Sequence, residues 1–421
     1  MKNIILTNSS EIVTCSGFKM KKGSAMNDVA LVKDASIVIE DGIIKDIISN
    51  NDLENKYDLK AYELIDCSGK SILPGFIDSH THFIFGGYRA DEFSWRLRGD
   101  SYMSIMERGG GIANSVNSTK TATVNELVNL GKKRLDSMVT FGVTTVEGKS
   151  GYGLEKDVEI KQLEVMKKLQ GMHSVDIIST FLGAHSVPKK YKSNPEEFID
   201  YLIDNVLDEV VDKNLAEFCD IFCEKNVFSV EESRKLLLKA KEKGLKLKIH
   251  ADEIVQLGGA ELAAEVGATS ADHLLQASDK GIKLMAENDV VSTLLPCTAY
   301  SLKEDFARGR YMIDNGCAVA LATDFNPGSC FCESIPLVIS LATLKMNMTI
   351  EETITALTIN AAAALGRADK IGSIDIGKEA DIVIHEFPSY NFIPYHIGVS
   401  TVEKVIKKGK LIYDKNWLKI L

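Results

Sequence analysis

Between about residues 69 and 368 the chain repeats one pattern. Short apolar runs rich in β-branched residues alternate with longer stretches whose apolar positions recur at helical spacing. The runs centre on Phe76-Ile77-Asp78, Thr144-Thr145-Val146, Ile177-Ile178-Ser179-Thr180, Cys219-Asp220-Ile221-Phe222, Leu247-Lys248-Ile249, Ser270-Ala271, Val290-Val291-Ser292-Thr293 and Ala318-Val319-Ala320-Leu321. Helix-period segments such as Val158 to Leu169 and Glu231 to Lys243 lie between them. Strand–helix alternation predicts a parallel sheet with crossover helices. Eight such units over this length match a (β/α)8 barrel of the TIM type, whose usual span is about 250 residues. The sixth run is short and is carried by the repeat rather than by its own sequence. An open doubly wound sheet would not bring the first and last strands together; a closed barrel does.

The two ends read differently. Ile37-Val38-Ile39-Glu40 and Ile43-Ile44-Lys45-Asp46-Ile47-Ile48 flank an Asp41-Gly42 turn, which predicts a hairpin. Ala380 to Ile384 and Val405 to Tyr413 repeat that texture near the C-terminus. The expected organisation is a small β-sandwich built from residues 1–68 and 369–421, with the barrel over 69–368.

Of the 421 residues, 45% are hydrophobic, enough for one large core, and the 26% that are charged are typical of a globular protein. The net charge of −10 comes without any basic block, which argues against nucleic acid as a partner. No apolar run approaches membrane-spanning length, and Met1 to Asn8 is too short for a secretory signal, so a cytoplasmic enzyme is expected. Eight cysteines in so long a chain are no disulfide framework. Cys219/Cys223 and Cys330/Cys332 each lack a second pair for a metal site, and buried free thiols are expected.

The densest chemistry lies in Leu73-Pro74-Gly75-Phe76-Ile77-Asp78-Ser79-His80-Thr81-His82. Side chains two apart on a strand share a face, so His80 and His82 project together, as two imidazoles holding one ion must. An isolated pair of this kind would be two histidines on a solvent face. Three more apolar runs, however, end in His250, in Asp272-His273 and in Asp324. In a barrel these are C-terminal strand ends, where active sites are built. Glu147 is read as ending the second strand, with His185 following the third and Glu224 the fourth. The pattern points to a metal-dependent hydrolase.

These residues resemble the amidohydrolase superfamily, both in Pro74 to His82 with the later histidines and aspartate and in Gly372-Ser373-Ile374-Asp375-Ile376-Gly377-Lys378-Glu379-Ala380-Asp381. The closer resemblance, over essentially the whole chain, is to the branch that opens the ring of 4-imidazolone-5-propanoate in histidine degradation. It rests on Phe83 to Arg89, Ser101 to Met106 leading to Gly109-Gly110-Gly111-Ile112, Glu147 to Leu154, His250 to Glu253 and Asp324 to Ser329. The resemblance implies one divalent ion, zinc or iron, on His80, His82, His250 and Asp324. Binuclear relatives add a carboxylated lysine at the end of strand four; Lys225 comes late for that role, so a mononuclear site is expected. The implied reaction is hydrolysis of the cyclic amide to N-formimidoyl-L-glutamate, with Glu253, His273 and Asp324 handling protons. Implied substrate contacts are Arg89, Tyr152, His185, Glu253, Asn326, Gly328 and Ser329, with Tyr102 as a further one. A homodimer is implied too.

Arg89 suits the propanoate carboxylate, because a guanidinium fork matches a carboxylate. The alternative within the superfamily, a mononuclear deaminase of a nucleobase-like ring, has no use for that anchor. Gly109-Gly110-Gly111 follows no strand closely and precedes no Lys-Ser/Thr, so it reads as a loop near the site rather than a phosphate loop. His173, His385 and His396 are expected to be structural or solvated.

Overall fold

The computed structural model describes residues 3–100, 104, 108 and 110–419. Eight parallel strands form the central sheet: Phe76–Asp78, Val143–Lys149, Asp176–Ala184, Phe218–Cys223, Lys246–Ala251, Ser270–His273, Val291–Leu294 and Val319–Leu321. They are hydrogen-bonded in sequence order, each to the next. Continuous apolar runs make strands buried on both faces, and the helices between them cover the outer one. Those helices start where the sequence supplies caps. Thr123 with Glu126 and Ser229 with Glu232 form reciprocal capping boxes for Val124–Thr140 and Val230–Glu242.

The sheet closes through its C-terminal rim. Thr81 bridges Phe325 in parallel, the Asp324 amide donates to the His80 carbonyl at 3.0 Å, and the His82 amide donates to the Phe325 carbonyl at 2.9 Å. Asp78, fully buried, clasps Thr323 by accepting from its amide at 3.0 Å and its hydroxyl at 2.6 Å. Closure therefore sets Asp324 beside His80 and His82. The second strand runs two residues beyond Glu147, to Lys149. Glu147 thus sits inside the strand, not at its end, because the apolar run that predicts the strand gives no sign of the polar residues that continue it.

Both ends of the chain build a separate eight-stranded sheet, ordered Lys410–Asp414, Val402–Lys407, Ile382–His385, Ser71–Pro74, Ile4–Val13, Leu31–Glu40 and Ile43–Ser49, with Glu63–Asp66 also paired to Ile4–Val13. Its apolar faces enclose Ile4, Leu6, Ile37, Ile39, Ile72, Ile382 and Ile384. Gly75 then carries the chain into the barrel. A β-carbon there would lie 2.4 Å from the Thr144 hydroxyl, so only glycine lets the first strand meet the second. Among the described residues no helix is long and apolar enough to cross a membrane. The cysteines are free; Cys332 is half-buried and the others are buried.

Candidate active site

The rim gathers the strand-end residues into one cluster. Asp324 Oδ1 stands 3.6 Å from His80 Nε2 and 3.5 Å from His82 Nε2. These are separations of donors that share an ion: bonds of about 2.1 Å in a tetrahedron place ligand atoms roughly 3.4 Å apart. The His80 and His250 rings lie 4.6 Å apart, and those of His82 and His250 5.5 Å apart. Among the described residues four overlapping groups satisfy metal-ligand spacing: His80, His82 and Asp324; His82, His185 and His250; His80, His250 and His273; and, behind His80, His80 with Glu147 and Asp272.

The donors fit a divalent ion chemically as well as by distance. His80 Nε2 and His250 Nε2 are buried without a hydrogen-bond partner among the described residues, an arrangement that costs free energy unless something else binds there. Burial and the charge of Lys149 hold the His80 imidazole well below its ordinary pKa; the same two causes act on His250, and burial with His185 acts on His82. All three are therefore neutral, the form that ligates.

Behind the histidines lies a buried ionic layer. His80 Nδ1 is 2.7 Å from Asp272 Oδ2, and His250 Nδ1 is 3.0 Å from Asp220 Oδ2, the latter off the line of a good hydrogen bond. Lys149 donates to Asp220 at 2.7 Å and Glu147 at 2.9 Å, and stands 3.5 Å from Asp272. Lys248 completes the layer 3.4 Å from Glu147. All five side chains are fully buried. Burial would pull the Lys149 pKa down, but Asp220, Glu147 and Asp272 together push it up, so it is an ammonium.

Above the cluster is a cavity of about 540 Å3. Its wall includes His82, His250, His273 and Asp324, while His80 lies behind them. Arg89, Tyr152, His185, Glu253, Asn326, Gly328 and Ser329 line the same cavity. His185 stacks on His82 with centroids 4.9 Å apart and is fixed by the Gly151 carbonyl, 3.1 Å from its Nδ1. Burial lowers the His185 and His273 pKa values to about 4. Burial, with the charges of Asp324, Glu224 and Glu304, raises Glu253 to about 8, and burial raises Asp324 to about 7 against its bonds from Thr298 and Asn326. Glu253 Oε1 stands 3.6 Å from His273 Nδ1. His273 (φ 76°) and Asp324 (φ 53°) both hold left-handed backbone, strain that non-glycine residues carry mostly at functional positions.

Arg89 is oriented by Glu92, which accepts from its Nε at 2.8 Å and from the Gly111 amide at 2.9 Å. Its guanidinium packs directly on Gly328. Asn326 spends its side chain on its own loop: Oδ1 accepts from the Gly328 and Ser329 amides at 2.8 Å, and Nδ2 donates to the Asp324 carbonyl at 2.7 Å. Glu224 stays outside the cavity wall, accepting from the Ile254 amide at 2.8 Å. Tyr102 and Gly109 lie outside the described residues. His173 contacts Asp136 at 3.2 Å, His385 is buried against Thr401 at 2.8 Å and His396 is exposed, all away from the cavity.

Sequence reading misses Thr298, which donates to Asp324 Oδ2 at 2.6 Å, as well as Glu92, Arg96 and the Lys149 layer. A signal existed for Asp220 and Lys248. Each is a charged residue inside an apolar strand run, and such residues are almost never buried unless paired. Thr298 carried none, being one hydroxyl on a short helix.

A closed barrel with neutral histidines and an aspartate gathered at its C-terminal rim, beneath a polar cavity, defines a hydrolase of the metal-binding barrel class. Comparison with known proteins agrees. The sequence pattern of the Amidohydrolase family matches residues 71–412. Imidazolonepropionase of Clostridium tetani is 62% identical over 415 residues, covering 99% of each chain. Imidazolonepropionase of Porphyromonas gingivalis strain W83 is 54% identical over 416 residues, covering 98% of each. The chain belongs to the amidohydrolase family and, within it, to the imidazolonepropionases. Among solved structures, a zinc-bound adenosine deaminase from Xanthomonas campestris superposes with a TM-score of 0.71 at 16% identity, over 97% of this chain and 92% of that one. The triazine hydrolase of Arthrobacter aurescens gives 0.73 at 15% identity, over 98% and 95%. These two likenesses concern the fold alone.

Proposed function

We propose that the protein hydrolyses the cyclic amide of 4-imidazolone-5-propanoate to N-formimidoyl-L-glutamate, a step of histidine degradation. The observation that carries this reading is the presence, in one cavity, of the His/Asp cluster and the buttressed guanidinium of Arg89. A ring with a carboxylate tail needs both: a reacting centre for its carbonyl and a fork for its tail. The identity to imidazolonepropionases supports the same assignment.

In this reading a single zinc or iron ion is held by His80, His82, His250 and Asp324; when bound, it acidifies water and polarises a carbonyl. Lys225, the lysine nearest the end of strand four, is exposed, which supports one ion rather than two. The water oxygen bonds to the ring carbonyl carbon, the carbonyl–nitrogen bond breaks, and the nitrogen leaves with a proton. His273, neutral at physiological pH, takes the proton of the attacking water, and Asp324, on the same cavity wall, shares that proton. Glu253, whose raised pKa keeps it protonated near neutrality, delivers the proton to the departing nitrogen. Arg89 binds the propanoate. Tyr152 and His185 hold the ring, Tyr152 as a donor because burial keeps it a phenol. The Asn326–Ser329 loop, held by its own Asn326 bonds, seats Arg89 on Gly328 and walls the ligand. A cytoplasmic homodimer belongs to the same proposal.

The test follows the ultraviolet absorbance of freshly generated 4-imidazolone-5-propanoate. Rapid loss with metal-loaded protein is expected, with much slower loss after chelation. Arg89→Ala should raise KM and lower kcat/KM roughly 100-fold, as loss of a charge-assisted pair does. No loss above the uncatalysed decay would overturn the assignment.

A further inference from the structure

The ionic layer beneath the histidines has a use beyond charge balance. Asp220 and Asp272 come from the fourth and sixth strands, and Lys149 reaches both from the second, since side chains of alternate strands share a layer inside a barrel. Each aspartate stands behind a different histidine: Asp272 2.7 Å from His80 Nδ1, Asp220 3.0 Å from His250 Nδ1. A carboxylate behind a ligating imidazole fixes its tautomer and its orientation. Here neither aspartate is tied to solvent, and side by side they would repel one another. The ammonium between them draws them together.

We propose that Lys149 is a positioning residue of the metal site: it ties Asp220 and Asp272 behind His250 and His80, so that both rings carry their proton on Nδ1 and turn Nε2 to the ion. This rests on the metal-site reading above. Three observations bear on it. Lys149 is within 2.7 Å of Asp220 and 3.5 Å of Asp272. Both Nε2 atoms are buried without a partner among the described residues. And Lys248, the other buried cation, makes its contacts with Glu147 and the Ser79 and Ala364 carbonyls, so it acts on the two aspartates through its charge and not through a bond.

The layer holds two ammoniums and three carboxylates, so the double variant Lys149→Met/Glu147→Gln keeps its net charge while cutting the tie. The Glu147 carboxylate accepts from Lys149 and from the Thr180 hydroxyl and hydrogen-bonds to neither His80 nor His250, so it is a suitable partner for the swap. Cobalt(II) serves as the probe, its affinity read by competition with a chromophoric chelator and its geometry by its visible bands. The parent is expected to bind one cobalt per chain. The double variant should bind roughly 10- to 100-fold more weakly with displaced bands, while its metal-free Tm stays near the parent's. A double variant with the parent's affinity and spectrum would overturn the proposal and leave Lys149 as charge balance only. A parent that takes up no cobalt would fail at the metal reading itself, a different result. If the double variant does not fold, the zinc-loaded parent still decides: proton–nitrogen correlation of the histidine rings should show Nδ1–H on His80 and His250, and Nε2–H on either would overturn the tie.

Discussion

Glu253 and His273 face each other across 3.6 Å with pKa values displaced in opposite senses, one up to about 8 and the other down to about 4. Such a pair splits acid from base between neighbours. If Glu253 must be protonated to deliver its proton, kcat/KM falls as pH rises through about 8. The Glu253→Gln enzyme should lose that alkaline limb along with roughly 100- to 10,000-fold of its rate. Full pH–rate profiles of both check this, and an identical limb in the variant would assign it to another group. Thr298→Val removes the hydroxyl on Asp324 Oδ2 and is expected to weaken metal affinity and activity together, roughly 10- to 100-fold; chelator competition beside kcat/KM measures it. At this scale legibility followed residue type. His80, His82, His250, His273 and Asp324 announce themselves because imidazoles and carboxylates are rare at the ends of apolar runs. Thr298 and Glu92 act through a single bond to a neighbour that only the fold supplies.

The loop after the last barrel strand carries its own prediction. A β-carbon on Gly328 would lie 2.0 Å from Arg89 Nη1 and 2.8 Å from its Cζ, so Gly328→Ala must displace the guanidinium. KM should rise as in Arg89→Ala, by roughly 100-fold, with metal content and kcat close to the parent's. Substrate-saturation curves with metal analysis test it, and a normal KM would show that the loop absorbs the methyl. The barrel strands were legible as elements because buried parallel strands are continuous apolar runs. Their limits were less so. Polar residues continue the second strand as far as Lys149, where the interior is ionic rather than apolar. Ser270–His273, only four residues long, is a strand because its neighbours on both sides pair with it.

At the scale of the molecule, one rim contact decides whether the site exists. The bridge from Thr81 to Phe325 and the clasp of Asp78 on Thr323 close the barrel and bring the first and last strands' ligands together. No local pattern encodes that closure; the count of eight units did. Burying so many titratable groups also shapes stability. Asp78 and Asp324 hold protons to about pH 7 and Glu253 to about 8, whereas the unfolded chain releases them near 3.8 and 4.5; their contribution is complete at low pH and is lost as pH rises through those folded values. The depressed histidines act oppositely, losing stability only as pH falls below 6.5. The metal-free protein should therefore lose Tm between pH 6.5 and 8, and a bound ion should restore more at pH 8, since binding releases protons. Thermal unfolding of chelated and reloaded protein checks both signs.

If water opens a cyclic amide in this cavity, its oxygen ends in the product, and turnover of 4-imidazolone-5-propanoate in oxygen-18 water with mass analysis reads that out. The expected product keeps both ring nitrogens and carries one heavy oxygen in its new carboxylate. A product that has lost nitrogen as ammonia, or one without the label, would contradict it.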